Sequence, residues 1–191
     1  MFMYFPDNYV WSMSVAAILN SGGLIDEVDR ACRPLLEASR SGDDGGTEKL
    51  YESWNAVATE LIQSAEFDDA SGHRLTAGQK YYRAGLYLTY AERLQSPTWA
   101  GRDSAYQETM DLLLKSAERT GVEMRRVEVP YGDSSLPGYF VAAAGLSWSC
   151  TCNHSVERLG LNQGDVVLYG LCGRIGQARH IYPRHGHPWK W

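Results

Sequence analysis

The sequence predicts a mainly α chain in three parts: a helical module over residues 1–121, a β-hairpin over 122–144, and an irregular tail over 145–191. Three observations carry this. Helical patterns recur in five stretches before residue 121. The period then drops to two on either side of a single turn. Beyond Ala144 the composition jumps. The first 144 residues carry 21 acids and 13 bases, a net of -8, and the last 47 carry 2 acids and 5 bases, a net of +3. The tail also holds three of the four Cys, four of the five His and three of the six Trp, so it does not continue the text before it.

Each element has its own justification. Tyr9 to Asn20 is an apolar stretch closed by Asn20-Ser21-Gly22-Gly23, a helix stop. Leu24 to Arg40 restarts with Asp26, Glu27 and Asp29 in its first turns, where acids favour the positive end of the helix, and Pro34 kinks or divides it. Ser41 to Thr47 is a Gly/Asp linker. Glu48 to Phe67 places Leu50, Trp54, Val57, Leu61 and Ile62 on one face. Asp68 to His73 is a turn. Leu75 to Leu94 sets Tyr82, Leu86 and Tyr90 on one face, and small Ala77, Gly78, Ala84 and Gly85 permit a neighbour to approach closely. Asp103 caps a last helix with Tyr106, Met110, Leu113 and Leu114 inward and Thr120-Gly121 as its stop. Met124 to Val129 alternates as a strand, Pro130 to Ser135 reads as a turn, and Leu136 to Ala142 reads as a second strand.

Composition excludes several classes. With 44% hydrophobic and 21% charged residues the chain is in the globular range. A net charge of -5 argues against a bulk basic surface for nucleic acid. No run of about 18 apolar residues occurs, so no membrane span is expected. Met1 to Asp7 has no basic region ahead of an apolar core, which is a poor secretory signal and predicts a cytoplasmic protein. Four cysteines in such a chain do not make a disulfide framework.

Several motifs carry a resemblance. They are Phe5-Pro6-Asp7-Asn8-Tyr9-Val10-Trp11-Ser12-Met13, then Asn20-Ser21-Gly22-Gly23 with Ile25-Asp26-Glu27-Val28-Asp29-Arg30, Ser53-Trp54, and Thr76-Ala77-Gly78 with Lys80-Tyr81, Arg83-Ala84 and Tyr87. Glu92-Arg93, Val129-Pro130-Tyr131-Gly132 and Leu136-Pro137-Gly138-Tyr139-Phe140 complete the set. Over residues 2–143 the chain resembles the fungal fusarin-cluster type of α/β hydrolase, and more loosely the pigment-pathway and pseudooxynicotine-type hydrolases. The resemblance implies a helical module ahead of an α/β hydrolase domain whose first two strands are the hairpin. It implies secondary metabolism beside a hybrid polyketide–peptide synthase. The implied substrate, for a full-length relative, is a polyketide-peptide aldehyde, ester or lactam. The chain departs from the family in lacking Gly-x-Ser-x-Gly, the turn that presents the nucleophile of a Ser-Asp-His triad, and it stops where the relatives have barely begun their central sheet. A truncated, inactive member is therefore expected, with no catalytic residue, cofactor or metal assigned.

The tail reads as the same gene in a shifted frame. Taken one nucleotide later, the codons allowed by Arg179 to Trp191 permit GISILVMDTPGSG, a strand and a Gly-rich turn, and those of Thr151 to Asp165 permit PVTIQWNGLDSTKEM. Val166 to Ala178 permits a helix between them.

Cys150, Cys152 and His154, with Cys172, His180, His185 and His187, are zinc-ligand types, but their spacing is not that of a zinc knuckle; a small zinc-binding protein is an alternative. His73, beside Asp68 and Asp69, reads as a solvated surface residue. Ser134 and Ser135 read as turn formers. Trp11, Trp54, Tyr81, Tyr82, Tyr87 and Tyr90 read as core packing before a ligand pocket. Arg83 is expected to pair with Glu92 or Glu60, and Asp26, Glu27 and Asp29 to be a helix-start charge cluster. No phosphate loop occurs. A non-catalytic helical binding or dimerisation module is the other alternative, and self-association is expected if the module stands alone.

Overall fold

A computed structural model describes residues 3–40, 48–131, 133–141, 153–157 and 166–171. Five helices and four strands follow in chain order: α1 Tyr9–Asn20, α2 Ile25–Cys32, α3 Glu48–Ala70, α4 Arg74–Arg93, α5 Arg102–Thr120, β1 Met124–Tyr131, β2 Ser134–Val141, β3 Asn153–Glu157 and β4 Val166–Leu171.

Local chemistry explains the boundaries. Asn8 caps α1, its side-chain oxygen accepting the Trp11 N–H at 3.0 Å. Ser12 ties the preceding segment down by donating to the Phe5 carbonyl at 2.8 Å and accepting the Phe5 N–H at 3.0 Å. The expected stop after Asn20 is present. Gly22 takes φ +100, and a Cβ on Gly23 would stand 2.6 Å from the Ile18 side chain. Pro34 divides the second stretch: α2 ends at Cys32 and short 3-10 turns follow at Arg33–Leu35 and Ala38–Arg40. The last helix starts at Arg102 with Gly101 as its cap residue, so Asp103 lies inside the first turn, where its charge still favours the helix start. Gly121 at φ +74 ends it, and Val122 N–H reaches back to the Ala117 carbonyl at 2.9 Å.

The core lies among α1 to α4. Leu50, Trp54, Val57 and Leu61 of α3 are buried against Tyr81, Tyr87 and Leu88 of α4, with the Trp54 and Tyr87 rings 5.4 Å apart. Trp11, Val15 and Ile18 of α1 close it. Helices α4 and α5 run antiparallel and close together. A Cβ on Gly78 would meet the Thr120 side chain at 2.7 Å, and one on Gly85 would meet Leu113 at 3.2 Å. On α5 Ala105, Thr109, Met110, Leu112, Ser116 and Ala117 are buried. Of the expected inward face Met110 is buried, and Tyr106, Leu113 and Leu114 are half-buried. The glycines of α4 let α5 come close: Gly85 receives the Leu113 and Leu112 side chains, and Gly78 receives Thr120 and the Ser116 backbone.

The hairpin is present, with Met124 opposite Val141 and Tyr131 opposite Ser134. Its turn is tighter than Pro130–Ser135, because both of those residues pair within the strands. Pro130 is tolerated there since β1 is an edge. The sheet order is β1-β2-β4-β3, with β2 antiparallel to β1, parallel to β4, and β4 antiparallel to β3. The expectation of an irregular tail is corrected here, since β3 and β4 both come from it. Val166-Val167-Leu168-Tyr169 is a β-prone run, and the free edge of β2 offers it unpaired backbone groups. β4 joins only from Gly138 onward, so Pro137, which has no N–H to give, stands outside that pairing.

Candidate functional site

α4 and α5 come close through Gly78 and Gly85, and the hairpin contributes a further wall near the start of α4 and the end of α5. The space left over is a cavity of about 550 Å³. Gln79, Tyr82 and Arg83 of α4 line one end, with Thr120, Val122 and the hairpin residues Met124, Tyr139 and Val141. Met110 and Leu113 form the middle. Thr89 and Glu92 of α4 line the other end with Tyr106 and Thr109 of α5. At 1.5 Å per residue, the α4 wall from Gln79 to Glu92 runs roughly 20 Å. An elongated, mostly apolar space of this size is what small-molecule sites have.

Two buried acids flank it. Glu27 of α2, 4% exposed, accepts from Arg83 at 2.8 and 3.0 Å and from the Tyr87 hydroxyl at 2.5 Å. The Tyr87 hydroxyl in turn accepts the Leu24 N–H at 3.1 Å, which satisfies the start of α2. Burial and the bond to Glu27 push the Tyr87 hydroxyl well above its ordinary value. Glu92, 3% exposed, meets Arg102 at 2.7 Å. Burial pushes its carboxyl up, and the Arg102 charge pulls the other way. Thr109 is 4% exposed, and its hydroxyl has no hydrogen-bond partner among the described residues.

The expected ion pairs are corrected. Arg83 holds Glu27, while Glu92 holds Arg102 and Glu60 holds Arg30. Glu92 is nine residues along the same helix from Arg83, roughly 13 Å of rise, too far for a pair. The acidic start of α2 is also more than a charge cluster. Asp26 is exposed, but Glu27 is buried and Asp29 accepts from Tyr4 at 2.5 Å and from Arg33. Burial and the Asp29 bond push the Tyr4 hydroxyl up to about 12.

The aromatic set divides. Trp11, Trp54, Tyr81 and Tyr87 are core, Tyr90 packs against that core, and Tyr82 faces the cavity. His73, the one histidine whose side chain is described, is exposed at the start of α4. The Ser135 hydroxyl donates to Glu128 across the hairpin at 2.9 Å. Cys150, Cys152, Cys172, His180, His185 and His187 lie outside the described residues, and His154 is placed in β3. Among the described residues no cluster of three or more His, Cys, Asp or Glu side chains could hold a metal ion, and no helix is long and apolar enough to cross a membrane.

Sequence reasoning set Glu92 beside Arg83 and missed Arg102, its partner across the turn between α4 and α5, because no helical spacing links the two. No family model matches the chain, and no curated protein matches it.

Proposed function

We propose that the chain is the opening part of an α/β hydrolase-type protein that tailors polyketide–amino-acid metabolites, and that by itself it binds an apolar small molecule without turning it over. The observation that carries the binding reading is the cavity of about 550 Å³ shared by α4, α5 and the hairpin. Support for the ancestry is the run of sequence motifs from Phe5 to Phe140, together with a helical module that passes directly into an antiparallel pair. A register slip close to Ala144 belongs to the same proposal. An apolar run completes an open sheet edge in any reading frame, so β3 and β4 are compatible with it.

Two measurements test this. The full chain should bind diphenylhexatriene, a neutral fluorescent polyene, saturably at one site, and Ala117→Phe, which fills the cavity wall, should remove the binding while leaving the melting curve cooperative. No saturable site in the wild-type chain ends the binding reading. Restoring the frame near Gly145 should yield a longer product that hydrolyses a p-nitrophenyl ester and is blocked by a fluorophosphonate. An inert restored product ends the hydrolase reading.

A second reading has its own observation. Phe67 at 73% and Leu75 at 60% exposure flank the α3–α4 turn, and Ile25 is 77% exposed. Such residues suit a self-association surface. Sedimentation showing a monomer at all concentrations would exclude it.

A further inference from the structure

Strand β1 ends the sheet. The order is β1-β2-β4-β3, so among the described residues no strand lies on the outer side of β1. Two prolines show which backbone groups point to that side. The pairing of β1 with β2 runs from Met124 opposite Val141 to Tyr131 opposite Ser134 and passes through Pro130. Pro130 has no N–H to give, so its position is one whose backbone groups face away from β2. Pro137 of β2 lies opposite Glu128, and its missing N–H requires the same parity. Backbone groups alternate in direction along a strand, so Met124, Arg126 and Glu128 also present their N–H and C=O at the outer edge.

Such an edge is a template for another strand. The charges along this one change sign within three residues. The Arg126 and Glu128 side chains are 67% and 54% exposed, and Val127 between them is half-buried. That order is its own complement when reversed. A second copy of β1, laid antiparallel about a two-fold axis at Val127, sets each Arg126 opposite the Glu128 of the other copy. The same register lets those two residues exchange both backbone bonds, with the two Val127 side chains facing each other as the close, non-hydrogen-bonded pair. Pro130 then falls opposite Met124 at the end of the ladder, where it costs one bond and leaves the centre intact. Backbone parity also permits the axis at Arg126 or at Glu128, but each of those registers sets like charges directly opposite, which is destabilising.

We propose that β1 docks against β1 of a second copy of this chain, antiparallel about Val127, joining the two sheets into one. Each copy spends the edge once, so association by this edge closes at two. The surface is distinct from the apolar residues at the α3–α4 turn, and the pairing does not require the cavity to be filled.

The test is sedimentation equilibrium of the full chain as wild type, as Arg126→Glu, as Glu128→Arg, and as an equimolar mixture of the two variants. Wild type should form a dimer. Each variant alone sets like charges opposite at both contacts, and its dimer should be about ten-fold weaker. In the mixture one strand carries two carboxylates and the other two guanidiniums, so both contacts become attractive. The mixture should dimerise at least as tightly as wild type, which also shows that both variants are folded. A wild-type chain that stays monomeric at all concentrations overturns the proposal. So does a dimer that neither substitution weakens, which would place the contact elsewhere, at Phe67 and Leu75 among the candidates. Variants that are weakened alone and no tighter when mixed overturn the register at Val127, and the proposal with it.

Discussion

The Tyr87 hydroxyl donates to the Glu27 carboxylate at 2.5 Å, joining α4 to α2 across 60 positions of sequence, and Arg83 closes on both oxygens of the same carboxylate. Glu27 thus has three donors at a site 4% exposed, and the tyrosine passes the network on to the Leu24 N–H. A buried carboxylate so held is stable only as a set. Glu27→Ala leaves Arg83, only 15% exposed, facing an empty site, and should cost about 3–5 kcal/mol in urea unfolding. Tyr87→Phe removes one bond to the carboxylate and one to the Leu24 N–H and should cost roughly 1–3 kcal/mol. Equal, small losses for both variants would contradict the network.

Much of the fold is legible in the sequence. Helix α1 has the expected limits because Gly22 and Gly23 supply a stop that few other residues can adopt, and α3 follows its stripe of Leu50, Trp54, Val57 and Leu61. Pro34 divided its helix for covalent reasons. Long-range choices were not legible. Arg83 takes Glu27 instead of Glu60 because the fold brings the Glu27 carboxylate to Arg83 and Tyr87 and leaves Glu60 to Arg30, a tertiary fact that no spacing encodes. Apolar size marks Met110 and Leu113 of α5 correctly as packing residues, since Met110 is buried and Leu113 sits on Gly85, but it gives no sign that Ala105, Thr109, Leu112 and Ser116 are buried too. Those positions are covered because Gly78 and Gly85 bring α4 close, a tertiary effect that periodicity alone does not carry.

Asp69 and Arg119 give the fold an acid-sensitive contact. The Arg119 Nε donates to both Asp69 oxygens at 2.8 and 2.9 Å, and this bond holds the carboxyl below its ordinary value. The folded state therefore releases the proton more readily than the unfolded state. The contribution is fully present above the unfolded value of about 3.9 and is lost as pH falls through the lower folded value. Urea midpoints should show Asp69→Asn less stable than wild type at pH 7, with the gap closing toward pH 2. A gap that is constant over that range would exclude the pair as its source.

Cys32 should be chemically silent in the folded chain. It is fully buried, and burial pushes its thiol far above the ordinary value, with the nearby Asp29 charge adding to the effect. The thiolate is the reactive form, so both access and ionisation are withheld. Iodoacetamide at pH 8 followed by peptide mass spectrometry should find Cys32 unmodified in native protein and alkylated after denaturation. Rapid native labelling at Cys32 would mean that the α2–α3 contact opens readily.

Gly78 and Gly85 separate two effects that usually act together. Alanine in place of a mid-helix glycine gains up to about 1 kcal/mol of helix propensity at either position. At Gly85 the nearest atoms to the new Cβ would be Leu113 and Leu112 side-chain atoms at 3.2–3.4 Å, which a small rotation relieves. At Gly78 it would meet the Thr120 methyl at 2.7 Å, the Arg119 Cβ at 3.0 Å and the Ser116 carbonyl oxygen at 3.2 Å, and the last is backbone of α5. Relief there requires moving one helix off the other, a cost of about 1–3 kcal/mol that exceeds the propensity gain. Gly85→Ala should be within about 0.5 kcal/mol of wild type in urea unfolding, and Gly78→Ala should be clearly less stable. Because α4 and α5 form both walls of the cavity, Gly78→Ala should also weaken diphenylhexatriene binding while Gly85→Ala leaves it intact. A stabilising Gly78→Ala would show that the two helices do not pack through that glycine.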